Sequence, residues 1–333
     1  MKALVFERFG EPTEVLELHE LPLPEPGPGE VRVRMLAVPI NPSDLLVVRG
    51  QYGRLPTLPA TPGFEGVGVV DAVGPGFLRL VRGLRPGKRV AVLNGGGGNW
   101  QEYVVVSARQ AVPVAGDLSD EQVAMFFVNP STSWIMTQAV LKVSAGDWLL
   151  QTAAGSAVGR MVVRLGKHFG FRTINVVRRL SQAEELRREG ADHVIVSSSE
   201  SVVERVRAVT GGGVRFALDA VGGDTGLAVL EALAPGGKML VYGTLSGQPI
   251  PLDPRMLMVG QKSIAGFWLS EWVKQQNVFG MLKLFRKVQS LMRQGVLKTE
   301  IGGTFKIENF KQAIAQAESA GRKGKVLLRI ADK

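Results

Sequence analysis

The residues best suited to chemistry lie near the middle of the chain. Asp147-Trp148-Leu149-Leu150-Gln151-Thr152 has the length and composition of a strand, and it runs without a spacer into Ala153-Ala154-Gly155-Ser156-Ala157-Val158-Gly159. From Ala157 to Phe169 the apolar residues recur at helical spacing. Small side chains at such a bend let the backbone come close to a diphosphate. The helix start adds N–H groups without partners and the positive end of the helix dipole. Ala154, Gly155, Ser156, Ala157, Val158 and Gly159 are therefore expected to contact a dinucleotide, with Gly159 allowing the helix to pack tightly on the strand. A complete G-x-G-x-x-G is absent, so the signal is the placement between strand and helix.

The next strand-like run, Thr173-Ile174-Asn175-Val176-Val177, ends on Arg178 and Arg179. An acidic residue here would bond the ribose hydroxyls of NAD and repel a 2′-phosphate. Two guanidinium groups do the reverse, through paired N–H···O contacts. The pair predicts NADPH rather than NADH. Two later runs, Leu218-Asp219-Ala220-Val221-Gly222 and Tyr242-Gly243-Thr244, end strands on glycine at the edge where dinucleotides bind, which places Tyr242 and Gly243 beside the nicotinamide.

These residues need a scaffold. From Ser119-Asp120-Glu121 onward, strands and helices alternate, which predicts an α/β unit with a doubly wound parallel sheet over residues 122–295. Residues 1–121 read differently: short β-like runs such as Val31-Arg32-Val33-Arg34-Met35 and Gly66-Val67-Gly68-Val69-Val70 are separated by turns rich in Gly and Pro. The β-like text returns at Thr304-Phe305-Lys306-Ile307 and Lys325–Ile330, with one helix expected over Ile307–Ala320. Residues 1–121 and 296–333 are thus expected to form one β-rich domain, into which the nucleotide domain is inserted.

Composition narrows the chemistry. The 333 residues contain no cysteine, which excludes disulfides, iron–sulfur clusters, thiolate zinc sites and a cysteine nucleophile. His19, His168 and His193 are too far apart in sequence to form a familiar metal motif, so no metal site is expected. No apolar run is long enough to span a membrane, and the N-terminus lacks the layout of a secretory signal, so the cytoplasm is the expected compartment. The formal net charge of +10 suits anionic ligands, but the basic residues are spread along the chain and no nucleic-acid-binding motif is present.

With these segments in view, the chain resembles the medium-chain dehydrogenase/reductase superfamily over essentially its whole length. The resemblance implies a Rossmann sheet inserted in a GroES-like catalytic domain. Where zinc enzymes of that superfamily carry a cysteine before Ser-Asp and a Gly-His-Glu motif, this chain has Asn41-Pro42-Ser43-Asp44 and Gly63-Phe64-Glu65-Gly66, so both ligand positions are lost. Within the zinc-free branch it is similar to the mitochondrial-type 2-enoyl thioester reductases. Ile40-Asn41-Pro42-Ser43-Asp44 with Arg49-Gly50-Gln51-Tyr52-Gly53 matches the segment bearing that family's catalytic tyrosine, which falls on Tyr52. Val128-Asn129-Pro130-Ser131-Thr132-Ser133-Trp134 matches a loop at the nicotinamide end of the cleft, which implies cofactor contacts from Asn129 and Thr132. Gly266-Phe267-Trp268-Leu269-Ser270-Glu271-Trp272 is a signature of these reductases and implies that Phe267 and Trp268 contact the cofactor and wall the cleft. Asn41, Trp100 and Trp268 are the implied substrate-pocket residues. The chain departs from the family at Asn99, where threonine is common, and at Arg179, where an acid is common.

What the resemblance implies is NADPH-dependent reduction of the double bond of a 2-enoyl-CoA or enoyl-carrier-protein thioester. A phenol ordinarily titrates near ~10, so a tyrosine is protonated at neutral pH and can donate to a developing enolate oxygen. Quinone oxidoreductases are the next family in similarity, and a quinone or enone acceptor is the alternative. A non-catalytic nucleotide- or RNA-binding protein on the same fold is a third reading. The resemblance also implies a homodimer and admits an acyl carrier protein as partner.

Overall fold

The computed structural model describes residues 1–75, 83–114 and 116–331. They divide into two compact units, Met1–Val128 with Lys298–Lys333, and Asn129–Leu297. The first joint lies beyond the expected residue 121 because the short helix Asp120–Ala124 packs on strands of the first unit. Residues 76–82, 115 and 332–333 of the expected first domain lie outside the described residues.

In the first unit, β1 (Lys2–Val5) and β2 (Glu17–Glu20) form an antiparallel pair. The larger sheet contains β3 (Glu30–Pro39), β4 (Glu65–Val73), β5 (Arg89–Leu93), β6 (Tyr103–Ser107) and β7 (Ala111–Pro113). Strands β14 (Ile301–Lys306) and β15 (Lys325–Arg329) complete it in the order β14-β15-β3-β4-β5-β7, with β6 also on β3. Among the described residues of this sheet only β14 and β15 pair in parallel, so it is almost wholly antiparallel. Alternation explains β3: Val31, Val33 and Met35 are fully buried, while Arg32 and Arg34 on the opposite face stay partly exposed. Between β14 and β15 the expected helix is shorter than predicted, a 3₁₀ turn at Ile307–Asn309 followed by the helix Phe310–Glu318.

The helix Pro42–Val48 has Pro42 in its first turn, and Asp44 Oδ2 accepts the backbone N–H of Asn41 at 2.8 Å. It ends at Gly50, whose φ of 72° lets the chain turn sharply into Gln51 and Tyr52.

The second unit is a parallel sheet of β8 (Trp148–Gln151), β9 (Arg172–Val177), β10 (His193–Val196), β11 (Val214–Asp219), β12 (Leu233–Val241) and β13 (Ser263–Gly266). Their order, β10-β9-β8-β11-β12-β13, reverses direction between β8 and β11. That is the switch point of a doubly wound dinucleotide-binding sheet. Apolar side chains such as Leu149, Leu150, Ile174 and Leu218 are at most marginally exposed, as a sheet covered on both faces requires. The helix Ala157–Phe169 buries Val158, Met161, Val162 and Leu165, the i, i+3, i+4, i+7 stripe of a core-facing helix. Gly170, at φ 81°, stops it. Polar groups inside the sheet are paired: Gln151 Nε2 donates to Asn175 Oδ1 at 2.7 Å and to Gly159 O at 2.9 Å. Among the described residues, no helix is long and apolar enough to cross a membrane.

Candidate active site

Parallel strands deliver their carboxyl ends to one edge of a sheet, and most of the expected cofactor residues stand at that edge of the second unit. At the end of β8 the chain passes through Ala153, a non-glycine residue with φ 48°. Such a conformation costs on the order of 1–3 kcal/mol and concentrates at functional sites. The turn closes when Ser156 N–H donates to Ala153 O at 2.9 Å. Ser156 then caps the following helix, its Oγ accepting Gly159 N–H at 3.1 Å. Glycine is required at 159, because a Cβ there would lie 2.4 Å from the carbonyl oxygen of Ala154. Ala154 itself is fully buried beneath the turn. The first-turn N–H groups of the helix, which no carbonyl satisfies, therefore sit at a bend with little side chain in the way.

Two residues support this bend that the sequence did not single out. Arg160 Nε donates to Gly155 O at 3.2 Å, and its guanidinium pairs with Glu185 and Glu189. Gln182 covers the turn from the next helix; a Cβ on Gly155 would come within 2.8 Å of its Nε2. Neither carries a local motif, since both act through residues distant in sequence.

Arg178 and Arg179 follow β9 directly, Arg178 exposed and Arg179 at the N-cap position of the helix Leu180–Glu189. Among the described residues neither is held in an ion pair.

The end of β11 is organised by Asp219, which is fully buried. Its carboxylate accepts Thr152 Oγ1–H at 2.6 Å, Val221 N–H at 3.1 Å and Gly222 N–H at 2.9 Å. Thr152 Oγ1 in turn accepts Ala220 N–H at 2.9 Å. One carboxylate and one hydroxyl thus join the ends of the two strands that flank the switch point. At the end of β12, Tyr242 N–H donates to Asp219 O at 2.8 Å. Burial, and after it the Asp219 charge, holds the Tyr242 hydroxyl above the ordinary tyrosine range, so it stays protonated; Ser156 lies beside it and pulls the other way. A Cβ on Gly243 would meet Ala220 O at 3.0 Å, so this strand end also passes close to its neighbour. Phe267 and Trp268 follow β13, both half-buried, with Phe267 N–H donating to Val241 O at 2.8 Å.

Asn129 and Thr132 lie on the helix Val128–Trp134, each 8% exposed. Ser133 Oγ–H donates to the Asn129 backbone carbonyl at 2.8 Å. The side-chain Nδ2 of Asn129 is buried and has no partner among the described residues. A buried donor without an acceptor is costly, on the order of 1–3 kcal/mol, and a ligand carbonyl in reach would satisfy it. The close-packed bend, the guanidinium pair and this donor together fit a nicotinamide dinucleotide. Among the described residues no group of three or more His, Asp or Glu could hold a metal ion.

The remaining expected residues belong to the first unit. Tyr52 is half-buried, packed on the core, with its ring 5.3 Å from that of Phe64 at 42°. Trp100 is fully buried inside the hydrophobic core, against Gly63. Asn41 is 1% exposed and its side chain is spent on Glu65 and Lys325. Trp100 and Asn41 are therefore interior supports of the segments around them, and Tyr52 is the one of the three with an accessible edge.

Two family models match the chain, one for the alcohol dehydrogenase GroES-like domain over residues 27–116 and one for zinc-binding dehydrogenases over residues 157–287. The mitochondrial enoyl-[acyl-carrier-protein] reductase of Rattus norvegicus is 35% identical over 319 residues, spanning 94% of this chain and 84% of that one. The Xenopus tropicalis protein of the same name is 35% identical over 96% of this chain and 92% of its own length. Among solved structures, a Bacillus thuringiensis protein described as an NADPH:quinone reductase is 34% identical, with a TM-score of 0.93 over 99% of both chains. The Escherichia coli quinone oxidoreductase complexed with NADPH gives a TM-score of 0.91 at 25% identity, over 99% of this chain and 100% of that one.

Proposed function

The chain belongs to the medium-chain dehydrogenase/reductase superfamily and is an oxidoreductase, and from that premise we propose that it uses NADPH to reduce the carbon–carbon double bond of an α,β-unsaturated acyl thioester. The observation that carries the choice of substrate is the 35% identity to enoyl-[acyl-carrier-protein] reductases along 94% of the chain. Arg178 and Arg179 support NADPH over NADH.

Each residue then has a task. The bend Gly155–Gly159 takes the diphosphate on backbone N–H groups, with Ala154, Ala157 and Val158 keeping it narrow. Arg178 and Arg179 take the 2′-phosphate. Asn129 Nδ2 and Thr132 meet the nicotinamide side, while Tyr242 and Gly243 shape the strand end beneath it and Phe267 and Trp268 exclude water. When bound, the cofactor supplies a hydride to Cβ of the substrate. Tyr52 donates a hydrogen bond to the thioester oxygen, where negative charge gathers, and a proton from solvent reaches Cα to complete the reduction. An acyl carrier protein is one form in which the thioester would be presented, and association as a homodimer through the second unit accompanies this reading.

A quinone or enone acceptor is the second reading, favoured by the identity of 34% to the Bacillus thuringiensis structure. The two are separated by measuring NADPH oxidation with crotonyl-CoA and with 1,4-benzoquinone under the same conditions. Crotonyl-CoA is expected to give the larger kcat/KM. Turnover of the quinone alone would replace the proposal with the second reading.

A further inference from the structure

Glu65 has no task in the reaction above, yet it is 1% exposed, in the interior of the first unit. It opens β4. Its Oε2 accepts the backbone N–H groups of Phe127 and Val128, both at 2.9 Å, and its Oε1 accepts Asn41 Nδ2–H at 3.1 Å. The Oδ1 of Asn41 accepts Lys325 Nζ–H, and the backbone N–H of Asn41 donates to Asp44 Oδ2 at 2.8 Å. Asp44 Oδ1 accepts Phe64 N–H at 3.1 Å. Burial raises the Glu65 carboxyl and pushes that of Asp44 up to about 7, and it lowers the Lys325 ammonium to about 8. Three ionisable groups enclosed together are an expensive way to fill an interior, since apolar residues of similar volume would do so at no desolvation cost. What the cluster supplies instead is fixed geometry.

The geometry is specific about what it holds. Val128 is the first residue of the helix that carries Asn129 and Thr132. The N–H groups at a helix start have no carbonyl partner within the helix. Here they are met by a carboxylate from residue 65, far away in sequence, rather than by a local capping side chain. The next residue is Asn129, whose buried Nδ2 has no partner.

We propose that Glu65 is a positioning residue, which fixes the start of the helix Val128–Trp134 so that Asn129 and Thr132 are held ready for the nicotinamide end of the cofactor. The proposal rests on the reading of those two residues as nicotinamide-side groups. Only a carboxylate can make all three contacts, because both of its oxygens accept and neither donates. Glutamine would turn an NH2 group toward Asn41 Nδ2. Asn41 cannot rotate its amide to accept it without facing an NH2 group toward the Lys325 ammonium. Glu65→Gln, nearly identical in shape, therefore gives up at least one contact while the interior stays filled.

The test uses calorimetric titration of the full chain with NADPH and with 2′-phospho-ADP-ribose, the same molecule without the nicotinamide ring. Glu65→Gln is expected to weaken NADPH about tenfold, the equivalent of one charge-assisted hydrogen bond, and to leave 2′-phospho-ADP-ribose unchanged. Val128→Pro removes one of the two donors from the other end, at a helix position where proline is tolerated, and is expected to show the same selective loss. Equal loss for both ligands, no loss for either, or failure of both variants to fold would overturn the proposal. If the unsubstituted protein bound NADPH no more tightly than the fragment, the nicotinamide reading itself would fall, and this proposal with it, before any variant was made.

Discussion

Tyr52→Phe is expected to lower kcat for crotonyl-CoA reduction by about 10²–10³-fold, the range of a lost donor to a developing oxyanion, with the Kd for NADPH unchanged. The substitution keeps the ring. The ring packs on the core and lies 5.3 Å from Phe64, and phenylalanine keeps both contacts. The loop that carries it is fixed by backbone bonds, with Gly50 N–H donating to Val47 O at 3.0 Å and Gln51 N–H to Leu46 O at 2.8 Å, neither of which involves the hydroxyl. The substitution removes the O–H that this reading directs at charge appearing only as the double bond is reduced, a loss that falls on kcat rather than on ground-state binding. Steady-state kinetics with a parallel NADPH titration measures it. A loss of less than about threefold would remove Tyr52 from the chemistry, since the loss of a donor to a developing oxyanion costs far more.

The second large effect concerns the cofactor. Arg178→Ala combined with Arg179→Ala is expected to raise the KM for NADPH about a hundredfold and to leave that for NADH within about threefold. Contacts to charged groups contribute about 1.5–3 kcal/mol each, and an exposed position such as that of Arg178 belongs at the lower end. Two such contacts at about tenfold apiece give the stated ratio. The substitutions disturb little else, because no carboxylate among the described residues depends on either guanidinium. Kinetics with each coenzyme at saturating acceptor measures the ratio. An equal rise for both coenzymes would mean that the arginines act on the shared diphosphate or on stability.

Much of the nucleotide unit was legible because its signals are local. A strand, a bend of small residues and a helix start are consecutive in sequence, and the helix predicted from Ala157 to Phe169 has those bounds in the structure. Strand–helix alternation carries the parallel sheet for the same reason. What the sequence concealed depends on contacts between distant positions. Asn41 and Lys325 are 284 residues apart, and Thr152 and Asp219 are 67 apart, so neither pairing leaves a spacing to read. Glu65 reads as the remnant of a metal motif, and only the fold brings Phe127 and Val128 to it. Trp100 comes just after Gly95, Gly96, Gly97, Gly98 and Asn99 and looks like part of a loop, yet it is fully buried, and Gly63, at φ 109°, leaves room for the indole. The six residues Ile135–Val140 form a π-helix, a wider turn that no periodicity in so short a run could announce.

The most direct measurement of the central claim follows the reducing hydrogen itself. The protein would be given crotonyl-CoA and NADPH carrying deuterium at C4 of the nicotinamide, on the transferred face, and the product examined by NMR. Deuterium at C3 of butyryl-CoA is the expected result, with the hydrogen added at C2 coming from solvent. Unlabelled butyryl-CoA, or no butyryl-CoA while a quinone is reduced, would contradict the account.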